Sequence, residues 1–253
     1  MAAVDLTRDD DVPQAQHEVA VELARMAGDR LMELRSGSSL TGRGLSDEGD
    51  RLSHQLLMAE LATRFPHDAV RSEEGADMPG ADRLWIVDPL DGSREFGEDR
   101  DDWAVHVALA TGGTPVVGAV ALPALEVVLG TAAPPALSAA APVPRLVVSR
   151  SRPPAVAERV ADRLGATSIA MGSAGAKIAA VIQGRADIYV HAGGQYEWDS
   201  AAPVAVALAT GLHASRIDGS PLRYGRPDPW LPDLLVCHPA FADATLTALS
   251  ESG

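Results

Sequence analysis

The chain has 253 residues, 46% hydrophobic and 22% charged, a composition that excludes disordered and fibrous proteins and suffices for one large domain or two packed halves. Its formal net charge of −14 argues against binding to nucleic acid or to an anionic membrane, and it predicts that a polyanionic ligand needs cations. The single Cys237, the acidic residues 1–11 and the lack of a long apolar run favour a soluble protein of the cytoplasm.

The first part of the chain predicts two helices followed by strands. Apolar residues at helical spacing predict a helix over 13–35, and the Gly-, Ser- and Asp-rich residues 36–49 predict a loop. Asp50 stands before a second helical pattern that ends at 66–68, where it would cap the helix or face a site. A short strand at 69–70 and paired strands at 103–109 and 114–122 follow.

The second part of the chain alternates strands with helices. Residues 131–145, TAAPPALSAAAPVPR, have no helical or strand period and predict a boundary between halves at 1–135 and 145–253. Strands are predicted at 146–149, 168–171 and 187–190, and helices at 154–164, 174–183 and 201–209. Such alternation predicts an α/β layered half.

Acidic residues occur where buried strands end. Asp88 and Asp91 follow an apolar run in WIVDPLDGSREF, residues 85–96. Taken alone, Asp-Pro and Asp-Gly are more often turn dipeptides than a metal site. Glu73 and Glu74 also close a strand, however, and Asp199 begins an apolar helix. Because like charges repel unless a cation neutralises them, these acids together predict a cation site.

Gly92 and Ser93 follow the second of these acids directly. A glycine allows the backbone to approach a ligand closely, and amide N–H groups at a helix start can hold an anion. A cation cluster beside an anion-binding turn indicates phosphoryl chemistry.

Three motifs together resemble the inositol monophosphatase superfamily of metal-dependent, lithium-sensitive phosphatases: SEEG at 72–75, WIVDPLDGSREF at 85–96 and WDSAAP at 198–203. The resemblance implies a two-part α/β/α/β layered sandwich with metals at the junction of the halves. It implies that Asp50 and Ser93 together activate the attacking water, with Ser93 in place of the more usual Thr. It also implies Mg²⁺ ligands at Glu73, Asp88, the Leu90 carbonyl, Asp91 and Asp199.

Finer features resemble the CysQ-type 3'(2'),5'-bisphosphate nucleotidases within this superfamily. They are the ending of DGSREF, the segment SRSR at 149–152 and the unit GSAGAKIAAVIQGRADIYVH at 172–191. Without the resemblance, Arg152 would be a solvated residue and Lys177 a surface lysine. The resemblance implies substrate contacts at Gly92, Ser93, Arg152, Lys177, Asp199 and His191, the last where many relatives have Arg.

The predicted function is therefore that of a Mg²⁺-dependent phosphatase. It would remove the 3'-phosphate of adenosine 3',5'-bisphosphate to give AMP and phosphate, as in sulfate assimilation. Two alternatives stay open: an inositol or fructose-1,6-bisphosphate phosphatase on the same metal site, and a catalytically idle metal- or nucleotide-binding module. The predicted partner is a small nucleotide bisphosphate rather than nucleic acid or membrane. The oligomeric state stays open, and a homodimer is compatible with the resemblance.

Overall fold

The computed structural model describes residues 12–75 and 82–250, so the acidic start at 1–11 lies outside the described residues. Within these ranges the chain forms seven α-helices and ten strands, and the strands form two five-stranded sheets. In the described part of the chain, no helix combines the length and the apolar character needed to cross a membrane.

The first sheet has the strand order β1-β2-β3-β4-β5. Its first two strands are parallel and the others are antiparallel. Both faces of the sheet are buried, because residues alternate along β2 between Leu84 and Ile86 on one side and Trp85 and Val87 on the other. The strands are β1 (Ala69–Ser72), β2 (Arg83–Asp91), β3 (Ala104–Thr111), β4 (Thr114–Leu122) and β5 (Val127–Gly130).

The second sheet has the strand order β7-β6-β8-β10-β9. Its parallel part joins β6 to β7 and β8, and β10 is antiparallel to both of its neighbours. The strands are β6 (Arg145–Ser149), β7 (Thr167–Met171), β8 (Ile188–Tyr196), β9 (His213–Ser215) and β10 (Trp230–Cys237).

The helices cover the sheets in layers. Helices α1 and α2 pack on the outer face of the first sheet, α5 and α6 lie between the two sheets, and α4 and α7 cover the outer face of the second. The α/β/α/β order is thus confirmed, and α4 with α7 adds an outer helical layer. The helices are α1 (Gln14–Gly37), α2 (Gly42–Arg64), α3 (Ser93–Gly97), α4 (Ala155–Leu164), α5 (Ala174–Ile182), α6 (Ala201–Thr210) and α7 (Pro239–Ser250).

The connection between the sheets is irregular over residues 131–144, as its composition predicts. The two halves nevertheless share a core, because α6 from the second half packs against β3 and β4 of the first sheet. The division into halves at 1–135 and 145–253 stays a prediction.

The loop predicted at 36–49 is wrong, because α2 begins at Gly42. Asp50 therefore lies more than two turns inside this helix and is not its cap. The small residues reflect close packing of the helix: a Cβ at Gly49 would lie 3.0 Å from Phe96, and the Ser46 hydroxyl donates to the Ser93 carbonyl at 2.5 Å. The glycine and serine residues that make this segment resemble a loop instead allow a helix to approach the site closely.

Candidate active site

A β-bulge in β2 brings Asp88 and Asp91 to the same place. Side chains alternate along a strand, so residues three apart would normally point to opposite faces. Against β3, Asp88 pairs with His106 and Asp91 with Ala104, so three steps on β2 match two on β3. The extra residue falls within Pro89-Leu90, where proline has no N–H to offer the sheet. The bulge therefore reunites two carboxylates that a regular strand would separate.

Asp199 joins this pair from the second half of the chain. It lies in a 3₁₀ turn, Glu197–Asp199, just before α6. Asp88, Asp91 and Asp199 each place a carboxylate oxygen within 4.8 Å of the others. Burial, and then the charge of Asp91, raises the pKa of Asp88 well above its usual value, and the same two causes raise the pKa of Asp199 to about 7.

Leu90 lies within the bulge and is buried. Its N–H donates to Asp88 Oδ1 at 3.1 Å, so the backbone at this residue borders the acid cluster. The use of its carbonyl as a ligand stays a prediction.

Asp50 and Glu73 extend the cluster on one side. Burial raises the pKa of Asp50 to about 7, and the charges of Glu73 and Glu74 add to the effect. Burial, Asp91 and Glu74 raise the pKa of Glu73 to about 7. Asp50 and Glu73 thus interact through their charges, as do Glu73 and Asp91. A cavity of about 370 Å³ opens here, lined by Asp47, Asp50, Arg51, His54, Gln55 and Glu74.

The carboxylate of Asp91 also receives the start of α5 from the other half of the chain. The Ser173 hydroxyl and the Gly175 N–H each donate to Asp91 Oδ2 at 2.5 Å, and the Ala174 N–H donates to Oδ1 at 3.2 Å. A negative charge is favourable at a helix N-terminus, where N–H groups lack partners within the helix. Asp91 is therefore both a member of the acid cluster and a link between the two sheets.

Gly92 turns the chain from β2 into α3 with a φ of 87°. A Cβ there would lie 3.0 Å from Ser173 Cβ and 3.2 Å from Trp103 Cβ, so the turn favours glycine for both conformation and space. Ser93 is the first residue of α3. Ser93, whose hydroxyl is predicted to help activate the attacking water, thus lies two residues after Asp91, just beyond the end of β2.

Lys177 is buried, with 5% of its surface exposed, so the surface-lysine alternative is wrong. Its ammonium donates to the Gly172 carbonyl at 2.9 Å and also to the Ser173 carbonyl. Burial lowers the pKa of Lys177, while Asp91 is the strongest of the acids that act against this shift. The lysine therefore fixes the turn before α5 and places a cation beside the acid cluster.

Two arginines follow β6 and differ in their contacts. The Arg150 guanidinium contacts Glu95 at 2.7 Å and Glu98 at 3.0 Å. Arg152 is exposed, and its backbone N–H donates to Ser149 Oγ at 3.2 Å. The structure therefore leaves the Arg152 side chain accessible to a ligand.

His191 has protein partners at both ring nitrogens. Nε2 lies 2.8 Å from the Gly194 carbonyl, and Nδ1 lies 3.2 Å from the Tyr189 hydroxyl. Because a carbonyl only accepts, Nε2 carries the hydrogen, and Nδ1 of the neutral ring accepts from Tyr189. Burial lowers the pKa of His191. A contact from His191 to a substrate would require one of these bonds to break.

His106 is a site residue that the sequence reasoning missed. It is fully buried on β3; its Nδ1 donates to the Trp198 carbonyl at 3.0 Å, and its Nε2 lies 3.4 Å from Asp91 Oδ2. The signal in the sequence that could have identified His106 is its position as a lone polar residue in the apolar run 103–109. Ser173, which bonds Asp91, carried no comparable signal.

The donor set fits a hard divalent cation. Carboxylate oxygens from two halves of the chain converge at a buried position, where burial and then their mutual repulsion raise the pKa values of Asp88 and Asp199. Such oxygens are the ligands that Mg²⁺ prefers, and a bound cation would relieve the repulsion.

Comparisons with known proteins agree with this geometry. The sequence pattern of the Inositol monophosphatase family matches residues 13–252. The chain is similar to the 3'-phosphoadenosine 5'-phosphate phosphatase of Mycobacterium tuberculosis, with 50% identity over 221 residues, covering 82% of this chain and 83% of that protein. It is also similar to the 3'(2'),5'-bisphosphate nucleotidase CysQ of Escherichia coli, with 32% identity over 226 residues, covering 80% and 91%.

The fold is also found among solved structures. CysQ from Bacteroides thetaiotaomicron has a TM-score of 0.74 at 27% identity, covering 89% of this chain and 97% of that one. Because the family pattern spans nearly all of the chain and a curated relative shares half of the aligned residues, the chain belongs to the inositol monophosphatase family.

Proposed function

We propose that this chain is a Mg²⁺-dependent phosphatase that hydrolyses the 3'-phosphate of adenosine 3',5'-bisphosphate to give AMP and phosphate. The observation that carries the proposal is the convergence of Asp88, Asp91 and Asp199 within 4.8 Å. The names of the relatives from M. tuberculosis and E. coli support the substrate class.

The proposed cation ligands are Glu73, Asp88, the Leu90 carbonyl, Asp91 and Asp199. Divalent cations bound there supply electrostatic stabilisation of the charge that develops on the phosphoryl oxygens. Asp50 serves as the proton acceptor for the attacking water, since its carboxyl group lines the cavity beside the acid cluster and can take up a proton there. Ser93, at the start of α3, orients that water through its hydroxyl.

Cations from the chain itself hold the rest of the substrate. Arg152 is exposed after β6 and meets the second phosphate, while Lys177 supplies a fixed positive charge beside Asp91. The backbone N–H groups at Gly92 and Ser93 face the phosphate that is cleaved. These contacts offset the repulsion that a net charge of −14 exerts on a bisphosphate.

A comparison of substrates tests the proposal. Adenosine 3',5'-bisphosphate should exceed inositol 1-phosphate and fructose 1,6-bisphosphate in kcat/KM, measured by phosphate release at fixed Mg²⁺ and ionic strength. Arg152→Ala should weaken use of the nucleotide by about 1.5–3 kcal/mol, the range for hydrogen bonds to charged groups, and should change inositol 1-phosphate much less.

Arg25→Ala provides the matched control, because Arg25 is an exposed arginine on α1. It should leave both substrates unchanged. Equal turnover of nucleotide and inositol phosphate would favour a general phosphatase, and no phosphate release from any substrate would favour a binding module.

A further inference from the structure

A buried ion pair joins the two halves of the chain beside the acid cluster. Arg71 Nη1 lies 2.5 Å from Glu197 Oε2, and the two side chains are 1% and 0% exposed. Arg71 belongs to β1 and Glu197 to the 3₁₀ turn before α6, so each half contributes one partner.

Hydrogen bonds from a third segment also hold the pair. The Gly225 and Arg226 N–H groups donate to the Glu197 carboxylate at 2.8 and 3.1 Å, and Arg71 Nη2 donates to the Arg226 carbonyl at 2.7 Å. A buried pair generally adds little stability compared with apolar residues of the same size. Its position is therefore more informative than its contribution to folding.

Both partners are two residues away from a proposed cation ligand. Arg71 precedes Glu73, which follows the end of β1, and Glu197 precedes Asp199 in the same turn. Glu73 and Asp199 would both place a carboxylate at the proposed cation site, where like charges repel each other unless a cation is bound. The attraction between Arg71 and Glu197 acts against that repulsion at a nearby point of the same two segments.

We infer that Arg71 and Glu197 form a positioning pair, which holds Glu73 and Asp199 at the separation required to bind one set of divalent cations. The inference rests on the cation site of the proposed function and is independent of the identity of the substrate. Neither partner touches the reacting atoms, so the expected signature is a change in cation affinity.

The test is Mg²⁺ binding by isothermal titration calorimetry to cation-free protein at fixed pH. The double variant Arg71→Met with Glu197→Gln is preferred, because a single replacement leaves a buried charge without its partner. We expect its Kd for Mg²⁺ to rise by roughly 10–100-fold, the usual cost of losing groups that orient metal ligands. Its circular dichroism spectrum should match that of the wild type.

A matched control separates positioning from general loosening. Arg145 and Asp187 also form a partly buried pair, at 2.8 Å, beside the second sheet, and neither lies in the acid cluster. The double variant Arg145→Met with Asp187→Asn should keep the wild-type Kd for Mg²⁺. Equal weakening in both double variants would overturn the inference.

The remaining outcomes are also decisive. Wild-type Mg²⁺ affinity in the folded Arg71/Glu197 double variant would overturn the inference and leave the proposed function intact, whereas a wild-type chain without Mg²⁺ binding would overturn both. If the double variant does not fold, Arg71→Lys tests the same point. Lysine keeps the charge but lacks the planar fork that reaches both Glu197 and the Arg226 carbonyl, so unchanged affinity in Arg71→Lys would overturn the inference.

Discussion

Asp50 shows how surroundings give a single residue its chemistry. It lies on the inner side of α2, where burial and the charges of Glu73 and Glu74 raise its pKa to about 7. In the proposed reaction this partly buried carboxyl group takes up the proton of the attacking water.

Replacing the two proposed activating residues should therefore impair turnover. Asp50→Asn and Ser93→Ala should each lower kcat by roughly 10²–10⁴-fold, the usual contribution of positioned acid-base groups. Because both act on one proton transfer, the double variant should be no worse than the more damaging single variant. Steady-state kinetics at saturating Mg²⁺ provides the measurement, and Asp29→Asn, at an exposed acid of α1, is the control.

An unaffected Asp50→Asn beside a severely impaired Ser93→Ala would contradict the assignment of Asp50 as the base. Additive losses would instead show that the two residues act on separate steps.

At the scale of elements, α5 approaches the end of β2 very closely. Gly175 allows this approach, because a Cβ there would lie 1.9 Å from His106 Nε2 and 2.9 Å from Asp91 Oδ2. His106 belongs to β3, so the helix cannot retreat without losing the hydrogen bonds that it donates to Asp91.

Gly175→Ala should accordingly move α5 away from the cluster. We expect a loss of about 1–3 kcal/mol in the free energy of unfolding, as for other overpacked sites, together with weaker Mg²⁺ binding. Chemical denaturation and calorimetry measure the two effects. Gly37→Ala is the control, because a Cβ at Gly37 would meet nothing within 4 Å. A Gly175→Ala variant with wild-type stability would show that the close approach relaxes without cost.

At the scale of the whole molecule, the acid cluster couples stability to pH. Asp50 and Asp199 have pKa values of about 7 in place of 3.8, and that of Glu73 is about 7 in place of 4.5. A raised carboxyl pKa favours the folded state at low pH, and that contribution is lost as the pH rises towards 7. Divalent cations compete with these protons, so their binding strengthens over the same interval.

The rise in Tm that Mg²⁺ causes should therefore grow as the pH increases from about 5 to about 8. Thermal unfolding at each pH, once with Mg²⁺ and once with a chelator, measures this difference in Tm. Titrating groups that the cation does not affect contribute equally to both values and drop out of the difference. In Asp199→Asn the dependence should be flatter, because one titrating carboxyl is gone. A rise in Tm that stayed constant across this range in the wild type would contradict the coupling.

Local patterns in the sequence determined most of the secondary structure and the identity of the acids. The strands β3 and β4, the helices α1, α5 and α6 and the motif around Asp88 follow from residue spacing within a few turns or strand steps. The prediction failed at 36–49, where glycine and serine serve close packing of α2 against Phe96. Composition alone cannot distinguish small residues that form a loop from small residues that allow a helix to pack closely.

The tertiary structure alone decided how these groups meet. The bulge at Pro89-Leu90 brings Asp88 and Asp91 to the same place. Lys177 is buried inside the protein. Glu197 pairs with Arg71, which lies 126 residues away in the chain. Periodicity describes which face a residue takes within its own element. Burial, charge repulsion and ion pairing depend on elements that are distant in the chain. The shifted pKa values and the buried Arg71–Glu197 pair therefore follow only from the packing of the two sheets.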